Sequence, residues 1–226
     1  ACYPEIETQW NWCRYKGYGI LPIETARGCP YRCTHCSMRV IHGSTVRFRG
    51  ASAIEQDIVK GLSEIQTNKV SILDDTFTFN TEHFNQVTKL FNNLETQIDY
   101  TCFSRPESLK LDICKTLAES GCSRVFTGIE AADNECLKYL GRSYEANKIV
   151  PYLTNASRHN KITVSFMWGY PFESLRAFQK TLDLIRLLRD EIPTENLGIR
   201  IFQLKPVVGT IIFEQFKSSL IRPESV

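Results

Sequence analysis

Past residue 20 the hydrophobic period switches back and forth between two and 3.6, and this alternation constrains the fold more than any other feature of the chain. Residues 21–27 (LPIETAR) read as a strand. Ser52 and Glu55 form a capping-box pattern at the start of a helix with Ile54, Ile58, Leu62 and Ile65 on one face. KVSIL, residues 69–73, is a buried strand. Asn80 and Thr81 then stand where they can cap a second helix, striped by Phe84, Val87, Phe91 and Leu94. IDYTCF is the third strand, followed by a helix over 107–120 that Gly121 stops. RVFTGIE comes next, then helical residues 133–139 and a helix near 144–158 that Pro151 should kink or break. KITVSFMWG is followed by a helix over 173–189 with Leu175, Phe178, Leu182, Ile185 and Leu188 facing inward. LGIRIFQL and a short helix near 210–217 complete the pattern.

Six strand–helix units with no low-complexity linker call for a parallel sheet with helices outside. A full eight-unit barrel takes about 250 residues, so the pattern leaves an incomplete barrel or an open doubly wound sheet. One regularity favours the barrel. Unusual polar residues cluster just after strands: three cysteines after the first, Asp74 and Asp75 after the second, Arg105 after the third. Glu130 follows the fourth and Gly169–Glu173 the fifth. In parallel α/β architectures those ends share one rim, where ligands bind. The expected fold is α/β, a partial (β/α)6 TIM-type barrel with a parallel sheet and outer helices. Residues 1–20 are expected to be a lead-in, a remnant of a linker from an upstream domain, and residues 21–226 the core domain.

At 226 residues and 42% hydrophobic content the chain can bury a substantial core. A formal charge of +2 gives no electrostatic argument for nucleic acid or an acidic membrane as partner. Apolar runs are too short for a membrane span, and ACYPEIETQW is not a signal peptide. The absence of an initiator Met leaves a longer parent protein open. Nine cysteines are an odd count in a chain large enough to fold without disulfides, so a reducing, cytoplasmic setting is expected. Cys102, Cys114 and Cys136 lie in strand-like or helix-like runs and read as small buried hydrophobes.

Residues 28–36, GCPYRCTHC, place Cys29, Cys33 and Cys36 on a loop at the rim, where no core would bury them. Zinc suits the Cys33-x2-Cys36 spacing but needs a fourth ligand from His35, His42 or Cys13, and no second CxxC exists. A four-iron cluster suits three thiolates and leaves one iron open. Cys2 and Cys13 give little support for a second cluster.

The motif Cys29-x3-Cys33-x2-Cys36 after the first strand resembles the signature of the radical S-adenosylmethionine (radical SAM) enzymes. LDDTFT at 73–78, GIEAADNECLKYLGR at 128–142, GYPFES at 169–174 and FQLKPVVGT at 202–210 occur in the family's order. They resemble the branch in which a cobalamin-binding domain precedes the barrel, and the likeness covers nearly all of the chain beyond residue 20. The resemblance implies that the three cysteines hold a [4Fe-4S] cluster and that the amino and carboxylate groups of SAM chelate the fourth iron. One-electron reduction would then split SAM into methionine and a 5′-deoxyadenosyl radical that takes hydrogen from substrate.

The same resemblance implies SAM contacts at Asp74 or Asp75 (the amino group), Glu130 (the ribose), His35 (adenine, through its backbone) and the turn Gly169, Tyr170 and Pro171 (adenine). Glu173 is as well explained by the N-terminus of its helix. Arg105 and Arg142 could meet SAM or substrate carboxylates, and Gln203 and Lys205 could line a substrate pocket. The implied substrate is a small molecule or a peptide, and the electron donor a flavodoxin or ferredoxin. No Asp-x-His-x-x-Gly element stands before residue 20, so cobalamin is expected only through a domain outside this chain. With it, methyl transfer leads; without it, cyclisation, rearrangement or oxidation stands equally open. A zinc- or cluster-binding interaction module is the non-enzymatic alternative.

Overall fold

The computed structural model describes residues 17–219, so Cys2 and Cys13 lie outside the described residues. Strands β1 (Leu21–Ile23), β4 (Lys69–Ile72), β5 (Asp99–Ser104), β6 (Cys122–Glu130), β7 (Lys161–Trp168) and β8 (Leu197–Gln203) form one parallel sheet in that spatial order. Two short strands, β2 (Ala26–Arg27) and β3 (Arg47–Phe48), pair antiparallel beside it. The helices are α1 (Met38–His42), α2 (Ala51–Ile65), α3 (Thr81–Asn93), α4 (Leu111–Glu119), α5 (Asn134–Tyr139), α6 (Ile149–Ser157), α7 (Leu175–Glu191) and α8 (Ile211–Phe216).

Strand order follows chain order without reversal. A doubly wound sheet reverses at a switch point, whereas successive right-handed crossovers running one way put all their helices on the same face. This is the singly wound arrangement of a barrel wall, left open between β1 and β8, and it resolves what periodicity left undecided. Side chains alternate accordingly. Val70 and Ile72, Tyr100 and Cys102, Val125 and Ile129, and Ile162, Val164 and Phe166 are buried against the helices. The core is continued by a ring cluster of Phe77, Phe84, Phe91 and Tyr100, with centroids 5.0–6.5 Å apart. Each such fully buried ring contributes about 1.5–3 kcal/mol.

Four local expectations are corrected. LPIETAR splits into two strands, because Thr25 between them gives its N–H to Asp74 rather than to a ladder partner. Helix α2 begins at Ala51 with Gly50 as its N-cap, so Ser52 and Glu55 both lie inside the helix and make no cap. Pro151 falls in the first turn of α6, where its missing N–H is not needed, and it starts the helix instead of breaking it. In α7 the buried stripe is Ala177, Thr181, Leu184 and Leu188, while Leu175 is 89% exposed. Asn80 caps α3 as expected, accepting from His83 N at 2.8 Å. Among the described residues no helix is long and apolar enough to cross a membrane.

Candidate functional site

The cysteine loop is shaped by backbone bonds to three distant segments. Cys29 N donates to Gly43 O (3.3 Å), Thr34 N to Leu140 O (3.3 Å), and Ile212 N to Thr34 O (3.0 Å). Gly28 at φ +107° and Gly141 at φ +74° allow this closeness, since a Cβ would stand 2.4 Å from Thr45 O at the first and 2.7 Å from Arg32 O at the second. Cys29, Cys33 and Cys36 are half-buried, whereas Cys102, Cys114, Cys122 and Cys136 are buried. The three loop thiols are thus separated from the structural ones, as the sequence pattern implies for a ligand set. Burial pushes the Cys29 and Cys36 thiols above their ordinary pKa, and nearby Asp75 adds to this. A bound metal would reverse that by favouring the thiolate.

Two buried guanidiniums close the rim behind the loop. Arg105 donates through Nη1 to Cys33 Sγ at 3.3 Å and through Nε to Glu107 at 2.6 Å, and Ser143 holds that carboxylate at 3.0 Å. Its Cζ lies 3.9 Å from the centroid of the Tyr31 ring, and its Nη2 is buried without a partner. Arg142 donates to Glu130 Oε1 at 2.6 Å. Glu130 sits at a β-bulge with φ +74°, a conformation that non-glycine residues rarely adopt. Burial raises the pKa of its carboxyl, opposed by the charges of Arg142 and Arg105. Gly128 leaves room for this pair, because a Cβ there would stand 2.2 Å from Glu130 Oε1.

His35 Nε2 lies 3.9 Å from the same carboxylate oxygen. Burial, then the charges of Arg142 and Arg105, lower its pKa to about 3. The contact therefore joins a neutral imidazole to a carboxylate and is not an ion pair. Its Nδ1 is buried without a partner.

The two aspartates diverge. Asp74 is buried and both oxygens are used within the protein: Oδ1 accepts from Thr25 N (2.6 Å), and Oδ2 from Thr25 Oγ1 (2.5 Å), which also contacts His83 Nε2 at 3.0 Å. Asp75 turns towards the cysteine loop and meets His42 Nδ1 at 3.2 Å. At the next turn Gly169 has φ +84°, and its N–H donates to Glu173 Oε2 at 2.8 Å. Glu173 therefore closes this turn, while Ser174 caps α7 by accepting from Ala177 N at 3.1 Å. Pro171 is exposed. Tyr170 is buried, stacked on Phe172 at 5.3 Å, and its hydroxyl has no partner. The rim thus gathers the cysteines, His35, Asp75 and Glu130, with Gly169 beside Gln203, while Asp74 and Tyr170 lie beneath it. Sequence reasoning missed Tyr31, a variable position within the cysteine motif, and Glu107 and Thr25, which stand outside any motif; all three act through the side chains they contact.

The donor set can be tested against the groups it would hold. Among the described residues no three His, Cys, Asp or Glu side chains converge on a point that one ion could occupy. Thiolates that each bind a different iron of a cluster need no common point, and the orphaned N–H groups at Arg105 and Arg142 suit an anionic group nearby. A groove of about 960 Å³ lined by Glu55, Val59, Gln66 and Asn93 lies away from all of these residues and carries no such chemistry.

Comparison with known proteins agrees with this geometry. The family model for the radical SAM superfamily matches residues 23–185. An uncharacterised methyltransferase of Pyrococcus horikoshii is 27% identical over 182 residues, which cover 77% of this chain and 39% of that protein. Bacteriochlorophyllide d C-12(1)-methyltransferase of Chlorobaculum tepidum is 26% identical, with 95% of this chain and 46% of that protein covered. The chain therefore spans less than half the length of these curated relatives. Among solved structures, the cobalamin-dependent S-adenosylmethionine radical enzyme OxsB, with aqua-cobalamin and S-adenosylmethionine bound, superposes with TM-score 0.75 at 17% identity. That match covers 91% of this chain and 36% of OxsB. The radical SAM methyltransferase TsrM from Kitasatospora setae, with cobalamin and a [4Fe-4S] cluster, gives 0.68 at 18% identity, covering 80% and 36%. At these identities the structures show a shared fold.

Proposed function

The chain belongs to the radical SAM superfamily, and from that premise we propose that it is the SAM-cleaving core of a methyltransferase that uses cobalamin held by a part of the protein outside this chain. One observation carries the reading: three half-buried thiols on a pinned loop share a rim with a buried Glu130–Arg142 pair and Asp75. Cys29, Cys33 and Cys36 would hold a [4Fe-4S] cluster with one iron left for the amino and carboxylate groups of SAM. The cluster, when bound, supplies the electron that splits the sulfonium and releases the 5′-deoxyadenosyl group as a radical.

The chain's own residues position and exclude water. Asp75 is the better partner for the SAM amino group, supported by its place beside the loop, whereas Asp74 is committed to Thr25. Glu130, fixed by Arg142, would accept from the ribose hydroxyls. His35 through its backbone, and the turn at Gly169 and Pro171 with Tyr170 beneath it, would border adenine. The electron donor would be a small redox protein such as a flavodoxin or ferredoxin, and a cytoplasmic setting fits free thiols. The methyltransferase names of the relatives support methyl transfer over cyclisation or oxidation.

Anaerobic loading with iron and sulfide, followed by dithionite and SAM, tests the core of the proposal. A brown protein that forms 5′-deoxyadenosine, and loses this on Cys33→Ala, is the expected result. A colourless zinc protein without cleavage, or full cleavage by the Cys33→Ala variant, would overturn it.

A further inference from the structure

The inward face of the sheet, below the rim, carries a group of side chains that SAM cleavage does not use. Phe103 of β5 and Phe126 of β6 are paired in register, and their rings lie 5.4 Å apart at 33°. From β8, Arg200 reaches across β7 and sets its Cζ 5.5 Å from the Phe126 centroid. It can do so because β7 presents only Thr163 and Ser165 there, with Gly198 beside Thr163. One level lower Arg124 donates to Thr163 Oγ1 at 3.0 Å. The result is a hollow with an aromatic floor and a guanidinium at one side.

Two features of this hollow point to a ligand. Phe103 is 46% exposed although its strand neighbours Cys102 and Ser104 are buried, so a large apolar surface stands open beside the rim. Among the described residues, neither Arg200 nor Arg124 has a carboxylate in ion-pair range. The other charges that strand alternation puts on this face below the rim are Lys69, Asp99 and Lys161, all at the far ends of their strands. The balance on the face is therefore basic, and a guanidinium's planar fork matches a carboxylate.

We propose that this hollow is the substrate subsite, and that it takes a flat, conjugated small molecule bearing a carboxylate, stacked on Phe103 and Phe126 with its acid group on Arg200. Glu130 lies four residues beyond Phe126 on the same strand, roughly 13 Å along it. A ligand anchored at Arg200 must therefore extend about that far for its other end to reach the rim. The inference rests on the proposed radical chemistry for what happens to the bound molecule, but not for the binding itself.

Binding is accordingly read on the metal-free protein, by fluorescence titration with 1-pyrenebutyrate and, in parallel, with 1-pyrenemethylamine. The acid is expected to bind at least tenfold more tightly than the amine. Arg200→Gln should remove that preference, and Arg200→Lys should keep part of it. Phe126→Ala should weaken both probes, and Phe126→Leu, which preserves volume if the alanine variant does not fold, should do the same to a smaller degree. Equal affinity for acid and amine, or binding indifferent to Arg200→Gln, would overturn the proposal and leave the face to be covered by protein from outside this chain. Loss of SAM cleavage with the probe preference intact would overturn the radical reading alone.

Discussion

Arg105 concentrates several constraints in one side chain: it is buried, its guanidinium lies over Tyr31, it is tied to Glu107, and it donates to Cys33 Sγ. Hydrogen bonds to cluster sulfurs and nearby positive charge favour the reduced, more negative state. Replacing Arg105 with Met is expected to lower the midpoint potential of the loaded protein, with Lys giving a smaller drop. A redox titration followed by electron paramagnetic resonance would check this, and an unchanged potential would count against it. Asp74 gives a different residue-scale prediction. Burial raises its pKa from 3.8 to about 6, only partly countered by the bonds from Thr25 and Ala26. Below pH 3.8 the group is protonated whether the chain is folded or not. Between 3.8 and about 6 the unfolded chain has released a proton that the folded one keeps, so stability falls as pH rises through that window. The loss is on the order of 3 kcal/mol, and urea unfolding at each end of the window should show it shrinking in Asp74→Asn. The LDDT stretch marked this pair in the sequence, but not which aspartate faces the loop. That depends on Thr25, whose backbone leaves the main sheet to meet Asp74, a tertiary choice without a local signal.

The elements show the same division between pattern and contact. Helix α2 was legible down to its buried stripe, Ile54, Ile58, Leu62 and Ile65, because that face is purely apolar. Helix α7 was legible in extent but not in phase. Its seat on the sheet includes Thr181, whose Oγ1 accepts from Ala132 N at 3.1 Å, and Ala177, whose small side chain permits close approach. A stripe drawn through the leucines misses both, since hydrophobicity does not register a hydroxyl used as an acceptor. Glycines at element junctions are a third case. Gly121, between α4 and β6, has φ +93°, and a Cβ there would stand 2.3 Å from Ile98 O. Backbone cannot yield as a flexible side chain does, so Gly121→Ala is expected to cost on the order of 3 kcal/mol. Thermal unfolding should show Tm lower by roughly 10 °C.

At the scale of the molecule, the alternation of periods revealed a parallel sheet but not its winding, because a sequence of strands and helices reads the same whether crossovers reverse or continue. Burial on one face and openness on the other express the winding, and both depend on which strands become neighbours. The open wall leaves β8 paired on one side only among the described residues, with Ile201 and Phe202 each 48% exposed. Such an edge is a template for association, so this chain on its own should sediment with a concentration-dependent mass. Ile201→Lys, on the side away from the inward face, should reduce that dependence. The bond from Ile212 to Thr34 has a consequence in time. At synthesis rates of about 5–20 residues per second, the cysteine loop emerges on the order of ten seconds or more before the helix that latches it. During that interval the thiols are complete as a set but not yet confined, so a cluster delivered then would meet a more open loop than one delivered after the Ile212–Thr34 bond has formed.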